Sequence, residues 1–329
     1  MSYSSDSLVR ARVCEVAHEY YCLRFEDGAE CDAVPAGILR WSADLPTVGD
    51  WVRARRADST LALIEDVEPR ANCISRQRPG GGGEQVLASN VELIVIVMGL
   101  DGDYNLRRLE RYLVLAAASR AETMVALNKM DICPEWETRL AEARAMTGSA
   151  VALSAYESAG AIAEGVHGRT VVLLGSSGAG KSTIANALIG ESRLATKPVR
   201  ESDSRGRHTT TRRMLIDLPD GGALIDTPGL RELALWAGQE VVDEVFGDIA
   251  ALACQCRFQD CAHEGEPGCA VSAALESGEL EEARWASYRK LLSEARYHER
   301  SIDRREANET KRKWKIIHKA MRRHPKYNR

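Results

Sequence analysis

The 329-residue sequence contains no apolar run of about 18 residues, the length that a membrane-spanning helix requires. Its polar beginning lacks the apolar stretch of a secretory signal. None of its nine cysteines forms a CxxC pair, which argues against a dithiol redox function. Cysteines in a chain of this size favour free thiols or metal ligands over a disulfide framework. We therefore expect a cytoplasmic protein with no membrane contact.

The charge of the chain is unevenly distributed. Its formal net charge is −4, but residues 300–329 hold twelve Lys/Arg against three Asp/Glu, a net of +9. The rest of the chain therefore carries −13. A basic terminal segment of this kind is a candidate arm for nucleic acid. The alternative is a solvated helix or a frayed tail.

Residues 175–182 match the phosphate-binding pattern GxxxxGK[ST]. A lone match could be a flexible glycine loop, but a strand-like apolar run at 171–174 precedes it and a helical pattern at 181–189 follows it. Backbone N–H groups at such a helix start cradle phosphates, while Lys181 would reach the β- and γ-phosphates and Ser182 would ligate Mg²⁺. The candidate nucleotide contacts here are Gly175, Ser176, Ser177, Gly178, Ala179, Gly180, Lys181, Ser182 and Thr183.

A second element, residues 226–229, matches the DxxG motif that senses the γ-phosphate. Asp226 follows the apolar run 223–225, which predicts a position at the carboxyl end of a strand, facing the magnesium shell. Gly229 leaves room for a backbone N–H group at the γ-phosphate.

A third element reads the base. Asn128, Lys129, Met130 and Asp131 match NKxD and follow the apolar run 124–127. The Asp131 carboxylate can accept hydrogen bonds from guanine N1–H and the 2-amino group, and adenine offers neither donor. Ser154 and Ala155 fit the SA element, whose backbone N–H meets guanine O6, because of their spacing after Asp131.

The order of these motifs is unusual, because in Ras-like GTPases the guanine reader comes last and here it precedes the phosphate loop. That order indicates a circular permutation, which is physically allowed because the termini of a domain often lie close together. The permutation leaves the C-terminal end of the switch region joined to whatever follows it.

The catalytic apparatus departs from the Ras-like pattern. Leu230 stands just after DxxG, where a glutamine would orient the attacking water, so intrinsic hydrolysis should be slow. Residues 206–211 lie where switch I belongs, and Thr210 is by position the first choice among its three threonines to complete the Mg²⁺ shell. His208 is the candidate water-orienting group, the alternative being an exposed loop histidine.

Four metal-ligand side chains are clustered in a polar loop at Cys256, Cys261, His263 and Cys269. Three thiolates and an imidazole make the tetrahedral ligand set of one structural Zn²⁺. The region has little apolar content, so the metal would supply its folding energy. Cys254 could replace a ligand, and unrelated cysteines are the alternative.

The domain organisation follows from composition. Alternating strands predict an OB-like β-barrel over 1–70, and glycine-rich residues predict a linker over 71–84. Strands alternate with helices over 85–240, which predicts an α/β circularly permuted P-loop GTPase domain. Residues 241–329 are expected to form a zinc-binding helical domain with the basic tail.

The permuted motifs, the N-terminal barrel and the spacing of the Cys/His cluster together resemble the RsgA (YjeQ) family of ribosome small-subunit-dependent GTPases. The stretches NLRRLERY at 105–112 and RHTTT at 207–211 match that family as well. The resemblance implies a GTPase that binds the 30S subunit and its 16S rRNA late in maturation. It also implies that the ribosome stimulates hydrolysis and that a histidine at position 208 takes part. We expect GTP and GDP as ligands and a monomeric protein.

Two other functions are compatible with parts of the pattern. In a GTP-gated zinc chaperone the cysteine cluster would deliver metal, although a closed set of four ligands and the basic tail fit this function poorly. In an RNA-binding protein GTP would only order the structure. A measurement of GTP turnover separates that function from an enzyme.

Overall fold

A computed structural model describes residues 8–17, 20–37, 39–41, 45–58, 60–78, 84–154, 160–190, 212–227 and 237–300. These residues form two compact units. One contains the described residues up to 227, and the other contains residues 237–300.

The first five strands close into a barrel, as expected for the N-terminal region. They are β1 (Val9–Ala17), β2 (Tyr20–Phe25), β3 (Glu30–Pro35), β4 (Trp51–Arg56) and β5 (Leu61–Val67). Their order is β1-β2-β3-β5-β4, and β1 also pairs with β4, which closes the ring. Successive side chains alternate between the two faces of each strand, so apolar side chains such as Val13, Leu23 and Ile64 point inwards and form a fully buried core.

A two-stranded hairpin follows the barrel. Its strands are β6 (Cys73–Gln77) and β7 (Glu84–Ser89), so β6 lies inside the interval 71–84 that we assigned to a linker. The glycine-rich composition did not indicate this strand, because β6 is defined by pairing with β7, which lies beyond the interval except for Glu84. Asn72 and Asn90 stabilise the base of the hairpin, where the Asn90 N–H donates to the Asn72 carbonyl at 3.0 Å.

The α/β part is built on a sheet whose central strands are parallel. Five strands lie in the order β10-β9-β8-β11-β13, and β12 is antiparallel to β13. Their bounds are β8 (Leu93–Gly99), β9 (Glu122–Asn128), β10 (Ala150–Leu153), β11 (Thr170–Leu174), β12 (Arg213–Asp217) and β13 (Ala223–Asp226). All seven residues of β8 are buried, as its continuous apolar sequence predicts for a strand covered on both faces.

Four helices connect these strands: α1 (Leu106–Ser119), α2 (Trp136–Thr147), α3 (Gly160–Val166) and α4 (Lys181–Ile189). The Asn105 side chain caps α1 by accepting from the Arg108 N–H. Pro134 lies in the turn before α2, and the helix begins two residues later. The fixed φ of proline suits such a turn as well as the first turn of a helix.

The barrel and the α/β part share one sheet of eleven strands. Strand β1 pairs antiparallel with β12, with Glu15 opposite Met214 and Val16 opposite Arg213. The guanidinium of Arg12 donates to the Thr170 hydroxyl at 2.8 Å from the barrel side. The two parts are therefore joined by backbone pairing as well as by side chains.

The second unit is helical. It contains α5 (Gln239–Val245), α6 (Gly247–Ala253) and α7 (Ala270–Ser277), and residues 282–300 are also helical. Phe246 is fully buried and packs against the ring of Tyr288 at a centroid distance of 5.5 Å. Among the described residues, no helix is long and apolar enough to cross a membrane.

Candidate nucleotide and metal sites

The three GTP-site motifs follow strands that end at the same edge of the sheet. In the strand register Asn128 lies beside Gly99 on one side and Leu153 on the other. The phosphate loop follows β11, and Asp226 ends β13, the neighbour of β11. The carboxyl ends of parallel strands are where open α/β sheets bind ligands. The topology therefore collects the predicted base, phosphate and magnesium elements despite their permuted order.

The phosphate loop runs from β11 into the N-terminus of α4. Gly175 and Gly180 have φ values of +145° and +100°, which side chains rarely adopt. A Cβ at Gly175 would lie 2.1 Å from the Val97 carbonyl oxygen. The Lys181 ammonium donates to the Gly175 and Ser176 carbonyls at 2.7 and 2.5 Å, so this cation lies over the loop that would hold phosphates.

Asn128 links the base-reading element to the phosphate loop. Its side chain is only 2% exposed, and its Nδ2 donates to the Ala179 carbonyl at 2.9 Å. A Cβ at Gly180 would lie 2.0 Å from this Nδ2, so glycine at 180 is what permits the contact. The structure therefore brings these two predicted motifs into direct contact.

The remaining base-reading residues lie close by in the fold. Lys129 adopts a left-handed backbone with φ of +68°, and a short 3₁₀ turn over Met130–Ile132 leaves Asp131 exposed. Ser154 is buried directly after β10, the strand that pairs with β9.

The remaining predicted site residues fall into two groups, those in the phosphate loop and α4 and those outside the described part of the chain. Ser177, Gly178, Ser182 and Thr183 belong to the phosphate loop and the start of α4, as the motif requires. Four predicted residues lie outside the described part of the chain: Ala155, His208, Thr210 and Gly229.

Motif reasoning missed a pair of carboxylates beside these elements. Residues 100–105, which we call the acidic loop, follow β8, and their Asp101 and Asp103 contact Lys129 and Ser176. Burial opposes ionisation of Asp101, but the hydrogen bonds from Lys129 and from backbone N–H groups, together with the charge of Lys129, outweigh it and lower the pKa of Asp101. The available signal was positional, because the loop follows a fully apolar strand of the same sheet.

The second unit brings the predicted metal ligands together. The ligand atoms of Cys256, Cys261, His263 and Cys269 all lie within 4.8 Å of one another. The Cys256 and Cys269 sulfurs are 3.9 Å apart, and each lies 3.5 Å from Nδ1 of His263. Tetrahedral Zn²⁺ at its usual bond lengths separates two sulfurs by about 3.8 Å and sulfur from nitrogen by about 3.6 Å. The donor set and its spacing therefore fit one such ion, and Cys254 is exposed and outside the group.

Local structure orients these ligands. Burial opposes ionisation of Cys269, but hydrogen bonds from Ser272 at the start of α7 and from His263 outweigh it and lower the pKa of Cys269 to about 6. Burial raises the pKa of Cys261 to about 11. The Trp285 ring meets the His263 imidazole edge-on at a centroid distance of 5.8 Å. The imidazole is therefore held by packing as well as by the thiols.

Comparison with known proteins places these observations in a family. The RsgA GTPase family model matches residues 67–236. A small ribosomal subunit biogenesis GTPase RsgA from Opitutus terrae is 45% identical, over 97% of this chain and 92% of the relative. The protein of that name from Leptospira interrogans is 40% identical, over 96% of this chain and 90% of the relative.

Solved structures agree with this relationship. The crystal structure of YjeQ from Thermotoga maritima superposes with a TM-score of 0.66 at 26% identity, covering 88% of this chain and 99% of that one. The crystal structure of YloQ, described as a circularly permuted GTPase, has a TM-score of 0.65 at 22% identity over 90% and 98% of the chains and shows the fold alone. The chain belongs to the RsgA GTPase family.

Proposed function

We propose that this protein hydrolyses GTP in the biogenesis of the small ribosomal subunit. The observation that carries the proposal is the convergence of a guanine-reading and a phosphate-binding motif at one sheet edge, in contact through Asn128 and Ala179. The relatives from Opitutus terrae and Leptospira interrogans bear this function in their names.

In this proposal the nucleotide is held by the predicted motifs. Asp131 accepts from guanine N1–H and the 2-amino group, and Asn128, Lys129, Ser154 and Ala155 complete the base site. Backbone N–H groups of residues 176–182 bind the phosphates at the start of α4, where the helix dipole favours anions. For this Lys181 must leave the Gly175 and Ser176 carbonyls, which it can do because its flexible stem carries a single point charge.

Hydrolysis would depend on residues 200–230. Mg²⁺ held by Ser182 and Thr210, near Asp226, would neutralise phosphate charge. With Leu230 in the place of a water-orienting glutamine, His208 would orient the attacking water in a state that orders residues 200–212 and brings His208 to the γ-phosphate, beside the backbone of Gly229. We propose that binding to the 30S subunit favours this ordered state and so stimulates hydrolysis late in maturation.

The other parts would attach the enzyme to its partner. We assign residues 1–70 to an OB-like barrel, 71–84 to a connection, 85–240 to the GTPase domain and 241–329 to a domain that one Zn²⁺ stabilises. The zinc assignment is supported by the Cys₃His spacing. The barrel and the basic residues 300–329 would contact 16S rRNA, and the protein would act as a cytoplasmic monomer.

The direct test is GTP turnover with and without purified 30S subunits. We expect slow hydrolysis by the free protein and clear stimulation by 30S, with no turnover of ATP. Lys181→Ala is the negative control for contaminating GTPases. Tight GTP binding without turnover in either condition would favour an RNA-binding protein whose structure GTP only orders. Turnover that is unchanged by 30S would refute stimulation by the ribosome.

A further inference from the structure

We propose that Asp101 and Asp103 are positioning residues that couple the guanine-reading half of the nucleotide site to its phosphate-binding half. The inference rests on the proposed function, since it concerns the same nucleotide site. It assigns a role to the acidic loop, which none of the GTP-site motifs includes.

The position of the acidic loop follows from the strand order. Strand β8 lies between β9, which leads into the guanine reader, and β11, which leads into the phosphate loop. The loop therefore leaves the sheet between the two elements that must grip opposite ends of one nucleotide. A segment at this position can contact both elements at once, and the acidic loop does so.

On the guanine side, the Asp101 carboxylate pairs with the Lys129 ammonium of the NKxD element. Gly99 makes room for this carboxylate, because a Cβ there would lie 2.7 Å from Asp101 Oδ1. The left-handed backbone of Lys129 sets the direction in which its side chain leaves the chain, and the ion pair with Asp101 holds the ammonium group in place.

On the phosphate side, the Asp103 carboxylate receives the Ser176 hydroxyl, which lies 2.5 Å from both of its oxygens. The Gly99 N–H also donates to Asp103 Oδ2 at 3.3 Å. The Arg108 guanidinium pairs with the same carboxylate and donates to the Asp103 carbonyl at 3.1 Å. The Asp103 side chain is only 14% exposed, so these bonds are partly shielded from water.

The two contacts are linked inside the loop. The Asp103 N–H donates to Asp101 Oδ1 at 3.2 Å, so the Asp101 carboxylate is bonded to the backbone that carries the Asp103 side chain. Asn105 then caps α1 and anchors the end of the loop.

The charges are balanced in a way that suits an anionic ligand. Two uncompensated carboxylates beside a phosphate loop would repel a nucleotide, but Lys129 and Arg108 each neutralise one of them. The carboxylates thus contribute fixed acceptors for Ser176 and Lys129 while adding little net negative charge. Positioning of Ser176 and Lys129 by the carboxylates can therefore be distinguished by experiment from repulsion of the nucleotide by their charge.

The first test compares Asp103→Ala with Asp103→Asn by titration with GDP. Asn keeps an acceptor for the Ser176 hydroxyl, whereas Ala removes it, so we expect about tenfold weaker binding for Ala and a value within about threefold of the parent for Asn. Asp220→Asn, at an exposed carboxylate in the β12–β13 turn, is the control for charge removal elsewhere. Parent-like binding by Asp103→Ala, or tighter binding by both Asp103 variants, would overturn positioning, the latter in favour of plain repulsion.

The second test measures coupling between the halves with Lys129→Ala, Ser176→Ala and the double variant. A coupled site predicts that the two losses in GDP affinity are non-additive by about threefold or more. The non-additivity should vanish when both Asp101 and Asp103 are changed to Ala, which removes the acceptors for Lys129 and Ser176. Additive losses in the parent background, or coupling that persists without the carboxylates, would refute the inference. Failure of the unmodified protein to bind GDP would instead refute the proposed function.

Discussion

Helix α4 offers a matched pair of glycines that tests the contact between the two nucleotide motifs. Gly180 precedes the helix and Gly190 follows it, and both have left-handed backbones, with φ of +100° and +76°. A Cβ at Gly190 would come no closer than 3.8 Å to Pro219, whereas at Gly180 it would lie 2.0 Å from Asn128 Nδ2. Alanine at either position strains the backbone, but only at 180 does it displace Asn128.

The expected magnitudes follow from this difference. A side chain in the left-handed region costs roughly 1–2 kcal/mol, which both variants share. Displacing Asn128 breaks its bond to the Ala179 carbonyl, and a buried group left without its partner costs about 1–3 kcal/mol more. Gly180→Ala should therefore lose about 2–5 kcal/mol of unfolding free energy and Gly190→Ala about 1–2 kcal/mol.

Urea unfolding gives the stability difference from the midpoints when the slopes are equal. GDP titration gives the second measurement: Gly180→Ala should bind at least about tenfold more weakly, because both motifs shift, and Gly190→Ala should bind like the parent. Equal destabilisation of the two variants, or unchanged GDP affinity in Gly180→Ala, would show that the Asn128 contact does not organise the site.

Asp131→Asn should weaken GTP binding by about tenfold or more and favour xanthine nucleotide, whose 2-oxo group accepts from the new amide; unchanged GTP affinity would refute the assignment. Protein purified without added zinc should hold one Zn²⁺ per chain, and Cys256→Ala should lower both metal content and thermal stability. A Cys256→Ala variant with unchanged metal content and thermal stability would exclude the zinc site. His208→Ala should abolish stimulation by 30S, and deleting 300–329 should weaken 30S binding and reduce its salt dependence. Full stimulation of His208→Ala by 30S would exclude His208 from the mechanism. Undiminished, salt-independent 30S binding after the deletion would exclude residues 300–329 from the interface.

The sequence is most informative where the chemistry is local. The phosphate loop, NKxD and the Cys₃His cluster each depend on ligand types at short spacing, so the motif is enough to predict the site. The same holds for β8, because seven consecutive buried positions require a continuous apolar sequence. The structure adds the Asn128–Ala179 contact and the cluster distances, and both agree with those local patterns.

Non-local features could not be predicted in this way. The acidic loop contains ordinary loop residues, and its Asp103 meets Ser176 only because the sheet places β8 beside β11. Strand β6 resembles a linker until its partner β7 is known. In each case the determining interaction joins residues whose pairing is set by tertiary structure rather than by local propensity.

The pairing of β1 with β12 is the clearest such case, and it bears on how the parts of this protein work together. Alternation predicts that β1 belongs to a barrel, but it does not predict that β1 also pairs with β12 in the GTPase domain. Strand β12 leads from residues 206–211, where switch I is expected, towards Asp226 of DxxG through the β12–β13 turn. Since backbone hydrogen bonds join β1 to β12, the barrel cannot move rigidly without moving this strand or breaking the pairing. A partner bound to the barrel would therefore act on the backbone next to both segments that are predicted to sense the nucleotide. Long side chains reinforce this junction, such as Arg24, which pairs with Asp217 at 2.5 Å.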